Sequence, residues 1–179
     1  MVKRIFGAVV LVVVGLFGTA AGARQSAVAF STDHEDGSLK CQSVRGTLVE
    51  LRSTTECRPG HAVCFLGELE ANHGFRGTTY FRGEQGAVFP PSAPTFRSYV
   101  GSFDYITARG TLSMREFGLT DPPDPNNPES GVVNAYQRVV SGTGRFEGAT
   151  GYMFVSGFNR NQRIETIVNG RICTPRGGN

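Results

Sequence analysis

Short stretches of alternating apolar and polar residues, bracketed by glycines, make up most of the chain beyond residue 40. In Val63–Ala71, for example, Phe65 and Leu69 share one face while Glu68 and Glu70 share the other. This two-residue period is typical of strands whose faces meet different surroundings. The pattern predicts about eight strands and no long helix: Val44–Ser53, Val63–Ala71, Phe75–Phe81, Thr95–Thr107, Gly110–Phe117, Val132–Val140, Gly148–Phe158 and Arg163–Cys173.

Proline marks two loops between these strands. Gly86–Pro94 is proline-rich, and Asp121–Glu129 holds four prolines, so neither stretch suits a helix or a central strand. We expect both to be loops, and the second to be exposed.

The N-terminal segment has the pattern of a secretory signal peptide. Lys3 and Arg4 precede an apolar run from Ile5 to Phe17, and Ala21–Ala23 fits the small-residue rule for cleavage. Cleavage after Ala23 predicts a secreted or periplasmic protein with no stable membrane insertion. An uncleaved membrane anchor is the alternative, but the apolar run is short for one. The predicted organisation is a signal peptide (1–23), an extended lead-in (24–40), one domain (41–175) and a tail (176–179).

Four cysteines follow the signal segment. In an exported chain an even number of cysteines favours disulfides, and four cysteines allow three pairings. We favour Cys57–Cys64, because the intervening residues can turn back in a short loop, which leaves Cys41 with Cys173. A zinc site is the alternative, and the spacing does not favour it.

This second pairing bears on the architecture. Eight short antiparallel strands suit either a closed barrel or a sandwich. A Cys41–Cys173 bridge would bring the first and last strands together, which a barrel requires. We therefore predict an all-β fold: an eight-stranded antiparallel closed barrel with two disulfides.

Charge narrows the class of partner. The whole chain carries a formal charge of +3, but removal of Lys3 and Arg4 would leave the mature chain near +1. Without a basic run, a nucleic-acid partner is not expected. The sequence leaves open a small apolar ligand and a homo-oligomer.

A glycine-rich segment, Ser141–Gly151, is the most distinctive motif. A phosphate-binding reading fails, because strand-like residues rather than a helix follow it. Instead the segment, with Gly142-Thr143-Gly144-Arg145-Phe146 at its start, resembles the turn of dirigent proteins and allene-oxide-cyclase-like barrels, in a bacterial secreted branch. The resemblance covers residues 102–173, and Phe146 is expected to plug one barrel end.

This resemblance implies an eight-stranded antiparallel barrel with a central cavity. Within that superfamily such a cavity either steers a reactive intermediate during cyclisation or radical coupling, or holds an apolar ligand. The catalytic acids of the superfamily do not align with this chain residue by residue, so the resemblance assigns none here.

Charged residues inside predicted strands are the candidates for chemistry in the barrel lumen. Asp104 and Glu116 are the candidate catalytic acids, since a carboxyl buried in an apolar cavity can serve as a general acid. The candidate ligand or lumen residues are Tyr105, Tyr136, Arg138 and Glu165. The alternative for each is an ordinary position on the outer face.

No metal site or cofactor is predicted. The three histidines, His34, His61 and His73, share no ligand spacing, and neither a hydrolase nor a nucleotide-binding motif is present.

Three functions remain open. The first is a non-enzymatic exported barrel that binds a small apolar ligand or a surface partner. The second is a cofactor-free cyclase or isomerase acting in the same cavity, and the third is a structural envelope-associated domain. An ionisable group that meets a tyrosine or arginine inside the lumen would favour the second over the first. A wholly apolar lumen would exclude the cyclase or isomerase function, because it would contain no acid.

Overall fold

The computed structural model describes residues 38–55, 57, 59–61, 63–88, 92, 95–122 and 130–176. These residues form eight strands and two short 3₁₀ turns, Asn72–Gly74 and Gly144–Phe146. The strands are β1 (Leu39–Ser53), β2 (Val63–Ala71), β3 (Arg76–Val88), β4 (Arg97–Thr107), β5 (Gly110–Asp121), β6 (Ser130–Gly142), β7 (Thr150–Arg160) and β8 (Arg163–Pro175).

The strands form a closed antiparallel barrel. Each strand pairs with the next along the chain, and β8 pairs with β1 from Leu39↔Pro175 to Leu51↔Arg163. The predicted eight-stranded antiparallel closed barrel is therefore confirmed. Because the sheet closes on itself, none of its eight strands is left as an edge.

Both predicted disulfides are present. Cys41 lies directly opposite Cys173 in the β1–β8 register, so this bridge links the first and last strands of the barrel. Cys57 pairs with Cys64 across the connection from β1 to β2, with a sequence separation of 7. Two disulfides fit an oxidising compartment outside the cytoplasm.

The inner wall follows the strand alternation. In β6, Val133, Ala135 and Gln137 are buried, while Asn134 and Tyr136 between them are exposed. The same alternation in the other strands makes one apolar core inside the barrel. Its largest fully buried apolar side chains are Tyr105, Phe103, Phe146, Leu48, Leu69, Leu112, Met114, Met153 and Ile172.

An aromatic plug closes one end of the barrel. Phe146, in the second 3₁₀ turn, is 1 % exposed and packs on Phe75 and Tyr105, with ring centroids 6.1 and 5.8 Å away. The turn needs glycine at Gly144, where φ is +57° and a Cβ would lie 2.3 Å from the Arg109 carbonyl oxygen. The role predicted for Phe146 is confirmed.

Several strands are longer than predicted, β1 and β3 by the most. β1 begins at Leu39, five residues earlier than expected, because Leu39 and Lys40 pair with Pro175 and Thr174 of β8. β3 continues to Val88, into the predicted loop Gly86–Pro94. The register shifts between Gly83 and Gln85, and this irregularity lets β3 keep its pairing with β4 beyond the predicted end.

Some predictions fall on other parts of the chain. Four predicted features lie outside the described residues: the signal peptide (1–23), most of the lead-in (24–40), His34, and residues 123–129 of the second proline-rich loop. Among the residues that are described, no helix is long and apolar enough to span a membrane.

Candidate functional site

Polar side chains interrupt the apolar inner wall at a few positions. Burying a polar group without a hydrogen bond is unfavourable in free energy. Each of these side chains is therefore expected to have a hydrogen-bond partner or a functional role. The buried polar residues of the lumen are Glu50, Thr79, Glu116, Gln137 and Thr166.

Glu116 is the centre of a hydrogen-bonded network. The Tyr99 hydroxyl donates to its Oε1 at 2.9 Å, and the Gln137 Nε2 donates to its Oε2 at 2.6 Å. Gln137 is placed there because it pairs with Glu116 in the β5–β6 register. Gly118 leaves the space for the Tyr99 ring, since a Cβ at that position would lie 2.3 Å from the tyrosine hydroxyl.

Glu50 is the second carboxyl of the lumen. It lies on β1 opposite Gly67, which in turn lies opposite Thr79 on β3. A Cβ at Gly67 would be 2.6 Å from the Glu50 Cγ and 2.8 Å from the Thr79 Oγ1, so these two side chains converge over the glycine. The Glu50 Oε1 and the Thr79 Oγ1 are buried and have no hydrogen-bond partner among the described residues.

Burial controls the protonation of both carboxyls. Burial, and to a smaller extent the nearby charge of Glu116, raise the pKa of Glu50 to about 8. Burial also raises the pKa of Glu116 to about 7, although the hydrogen bonds from Gln137 and Tyr99 oppose the shift. At neutral pH the pair therefore retains protons and can donate one.

The burial of the inner wall varies along the barrel. In the middle of the barrel Leu48 and Met114 are each 1 % exposed, whereas Ala135 and Ile164, nearer the β1–β2 and β7–β8 connections, are 7 % and 9 % exposed. Glu50 is 7 % exposed. The inner wall is therefore slightly more exposed toward the end opposite the Phe146 plug than at the middle of the barrel.

The structure separates the two predicted catalytic acids. Glu116 faces the lumen as predicted, but Asp104 faces outward, which corrects its expected lumen position. On the outer face Asp104 pairs with Arg82 at 2.7 Å and accepts a hydrogen bond from Ser113. The reason is strand alternation, because its neighbour Tyr105 points into the core.

The other candidates also divide by strand face. Tyr105 points inward but is fully buried beside the Phe146 plug, and its ring stacks on Phe75 at 6.0 Å. Tyr136 and Arg138 face outward because Gln137, between them, faces the lumen. Their predicted lumen positions are therefore wrong.

Glu165 needs the same correction. It lies on the outer face of β8, between the buried Ile164 and Thr166, and pairs with Arg163 at 2.7 Å. Because this arginine donates a hydrogen bond to Glu165, the pKa of the carboxyl is lowered rather than raised.

Sequence reasoning missed Glu50, Tyr99, Thr79 and Gln137. Glu50 had a usable signal, because it lies two residues after Leu48 and so shares the inward face of β1. The hydrogen bonds of Tyr99 and Gln137 to Glu116 join three strands. Such contacts depend on the register between strands, which a single strand pattern does not contain.

The role of Gly67 can be tested by adding one methyl group. We expect Gly67→Ala to lower the free energy of unfolding by about 1–3 kcal/mol, because the new Cβ would overlap the Val49 carbonyl oxygen and the Glu50 side chain. Gly86→Ala is the control, because the nearest atom to its Cβ would be 3.4 Å away. Urea denaturation of both variants provides the measurement. Equal losses would contradict the close packing at Gly67.

No known family model, curated protein or solved structure matches this chain. The resemblance of residues 102–173 to dirigent and allene-oxide-cyclase-like barrels therefore stays a prediction.

Proposed function

We propose that this barrel binds a small, largely apolar molecule that carries one polar group, in the half of the lumen that contains Glu50 and Glu116. The observation that supports this proposal most directly is a carboxyl pair on a mostly apolar wall, with buried oxygens that lack hydrogen-bond partners among the described residues.

The unpartnered oxygens favour a ligand over a purely structural network. Leaving a buried polar atom without a hydrogen bond costs about 1–3 kcal/mol. Glu50, Thr79 and Gln137 each carry such an atom in the lumen. A ligand with a polar group would give these atoms a partner, and its apolar part would contact the surrounding wall.

A fluorescent apolar probe tests this proposal. N-phenyl-1-naphthylamine should bind the wild-type protein with increased emission, and Ala135→Phe should reduce its affinity, because Ala135 lines the lumen. Asn134→Phe is the matched control, since residue 134 faces outward on the same strand. Circular dichroism checks that both variants fold. Equal loss of affinity in both variants, or no probe binding at all, would contradict lumen binding.

A second candidate is a cofactor-free cyclase or isomerase. The hydrogen bond of Tyr99 to Glu116 favours it, because here an ionisable group does meet a tyrosine in the lumen. In this role Glu116 would act as general acid and Tyr99 would orient it. Glu116→Gln should abolish the conversion of an apolar host metabolite to an isomer of equal mass, followed by chromatography and mass spectrometry. Glu68→Gln, on the outer face, should not change it.

We also propose that the protein acts after export. Two disulfides support this, together with the N-terminal pattern of a signal peptide. Protein recovered from the medium or periplasm of its host should begin at Arg24, as determined by N-terminal sequencing and intact mass. Recovery of the uncleaved chain from the membrane fraction would support the anchor alternative instead.

A further inference from the structure

We propose that the polar group of the ligand is a primary ammonium, held by Glu50 and Glu116, while its apolar body lies along the rings of Phe65, Phe81 and Tyr99. This inference rests on the proposed lumen binding and specifies the chemical class of the ligand.

The charge of the site is the first argument. Among the described residues, the titratable groups that face this part of the lumen are Glu50, Glu116 and Tyr99, and none of the described basic side chains contributes to the pKa of either carboxyl. Arg52 shares the inward parity of Glu50 on β1, but it is exposed at the rim. A cation from the ligand would give this pair, once ionised, the counter-charge that the described residues do not supply.

The unpartnered atoms are the second argument. The Glu50 Oε1, the Thr79 Oγ1 and the Gln137 Oε1 are all oxygens that can accept hydrogen bonds. The amide nitrogen of Gln137 is already used, because it donates to Glu116. A primary ammonium offers three donors and no acceptor, whereas an alcohol offers one donor and a carboxylate offers none.

The aromatic wall is the third argument. Phe65 and Phe81 lie opposite each other in the β2–β3 register, with ring centroids 6.2 Å apart, and Tyr99 meets Phe81 edge-on at 5.6 Å. Phe65 and Phe81 each lie two residues from Gly67 and Thr79, on the side away from the plug. Rings in this position would contact an alkyl body and also attract an organic cation.

A metal cation fits the same charges less well. Calcium and magnesium require six or more oxygen ligands, including water. Among the described residues, no three His, Cys, Asp or Glu side chains come together as metal ligands. Two carboxyls beside three aromatic rings are better suited to an organic cation.

Three probes of equal chain length test the inference: hexylammonium, 1-hexanol and hexanoate, each titrated calorimetrically into the full mature protein at pH 7.5. Hexylammonium should bind about tenfold or more tightly than hexanol, since its hydrogen bonds to carboxylate are charge-assisted, and hexanoate should bind most weakly. Titration in two buffers of different ionisation enthalpy should show proton release with hexylammonium and none with hexanol.

Variants distinguish the site from the rest of the protein. Glu50→Gln/Glu116→Gln should reduce the affinity for hexylammonium to that for hexanol and remove the proton release. Glu68→Gln, which removes one carboxyl from the outer face, should alter neither. If hexanol binds as tightly as hexylammonium, the ammonium inference is wrong and lumen binding stands. If none of the three probes binds, and N-phenyl-1-naphthylamine does not bind either, both proposals are wrong.

Discussion

Replacing Cys41 and Cys173 with alanine is expected to lower the free energy of unfolding by about 3–5 kcal/mol. This disulfide spans 132 residues, nearly the whole barrel, so its loss frees a very long loop in the unfolded chain. It also joins β1 to β8, the pairing that closes the barrel. Guanidinium denaturation of the double variant under non-reducing conditions provides the measurement.

The other disulfide is the matched control. Cys57–Cys64 spans only 7 residues, so Cys57→Ala/Cys64→Ala should cost about 2 kcal/mol. Packing losses are similar in both double variants, because each disulfide pairs one buried with one half-buried cysteine. A larger loss from the short bridge than from the long one would contradict this account of barrel closure.

The pairing of these cysteines was predictable from one sequence feature, the short spacing between Cys57 and Cys64. A short loop could join Cys57 to Cys64, and the remaining pair had to connect the two ends of the domain. Barrel closure followed from that connection. The ends of β1 and β3 were not predictable, because they depend on pairing with β8 and β4 rather than on local apolar alternation.

The candidate site was only partly predictable for a related reason. Glu116 shares its face with Leu112 and Met114, so its strand pattern placed it in the lumen correctly. Asp104, Arg138 and Glu165 each alternate with inward residues, and their outward position follows from the same rule once the inward residues are known. The charge of Glu116 contributes to the raised pKa of Glu50. The two carboxyls come this close because the closed barrel is curved, and no single strand pattern shows that curvature.

The carboxyl pair should make the stability of the protein fall as pH rises. Glu50 and Glu116 have folded-state pKa values of about 8 and about 7, above the ordinary value of 4.5. Between pH 4.5 and about 8 these two carboxyls bind more protons in the folded protein than in the unfolded chain. The free energy of unfolding therefore decreases as the pH rises. The contribution of Glu50 is fully present below pH 4.5 and is lost as the pH rises through about 8.

Glu50→Gln removes the contribution of Glu50 to this dependence while keeping nearly the same shape. We expect the variant to match the wild type near pH 4.5 and to exceed its stability at pH 8.5 by on the order of 3–5 kcal/mol, at about 1.4 kcal/mol for each unit of pKa shift. The measurement is urea denaturation at several pH values, read as the difference between variant and wild type.

Two carboxyls with lowered pKa values titrate outside this pH window. The pKa values of Glu84 and Glu165 are lowered by hydrogen bonds from Arg115 and Arg163, so these groups change protonation below pH 4.5. Glu68→Gln, on the outer face, should keep the slope of the wild type. If the Glu50→Gln and wild-type curves run parallel from pH 4.5 to 8.5, Glu50 does not retain its proton in the folded barrel. The ammonium site would then lose the proton release on which its calorimetric test depends.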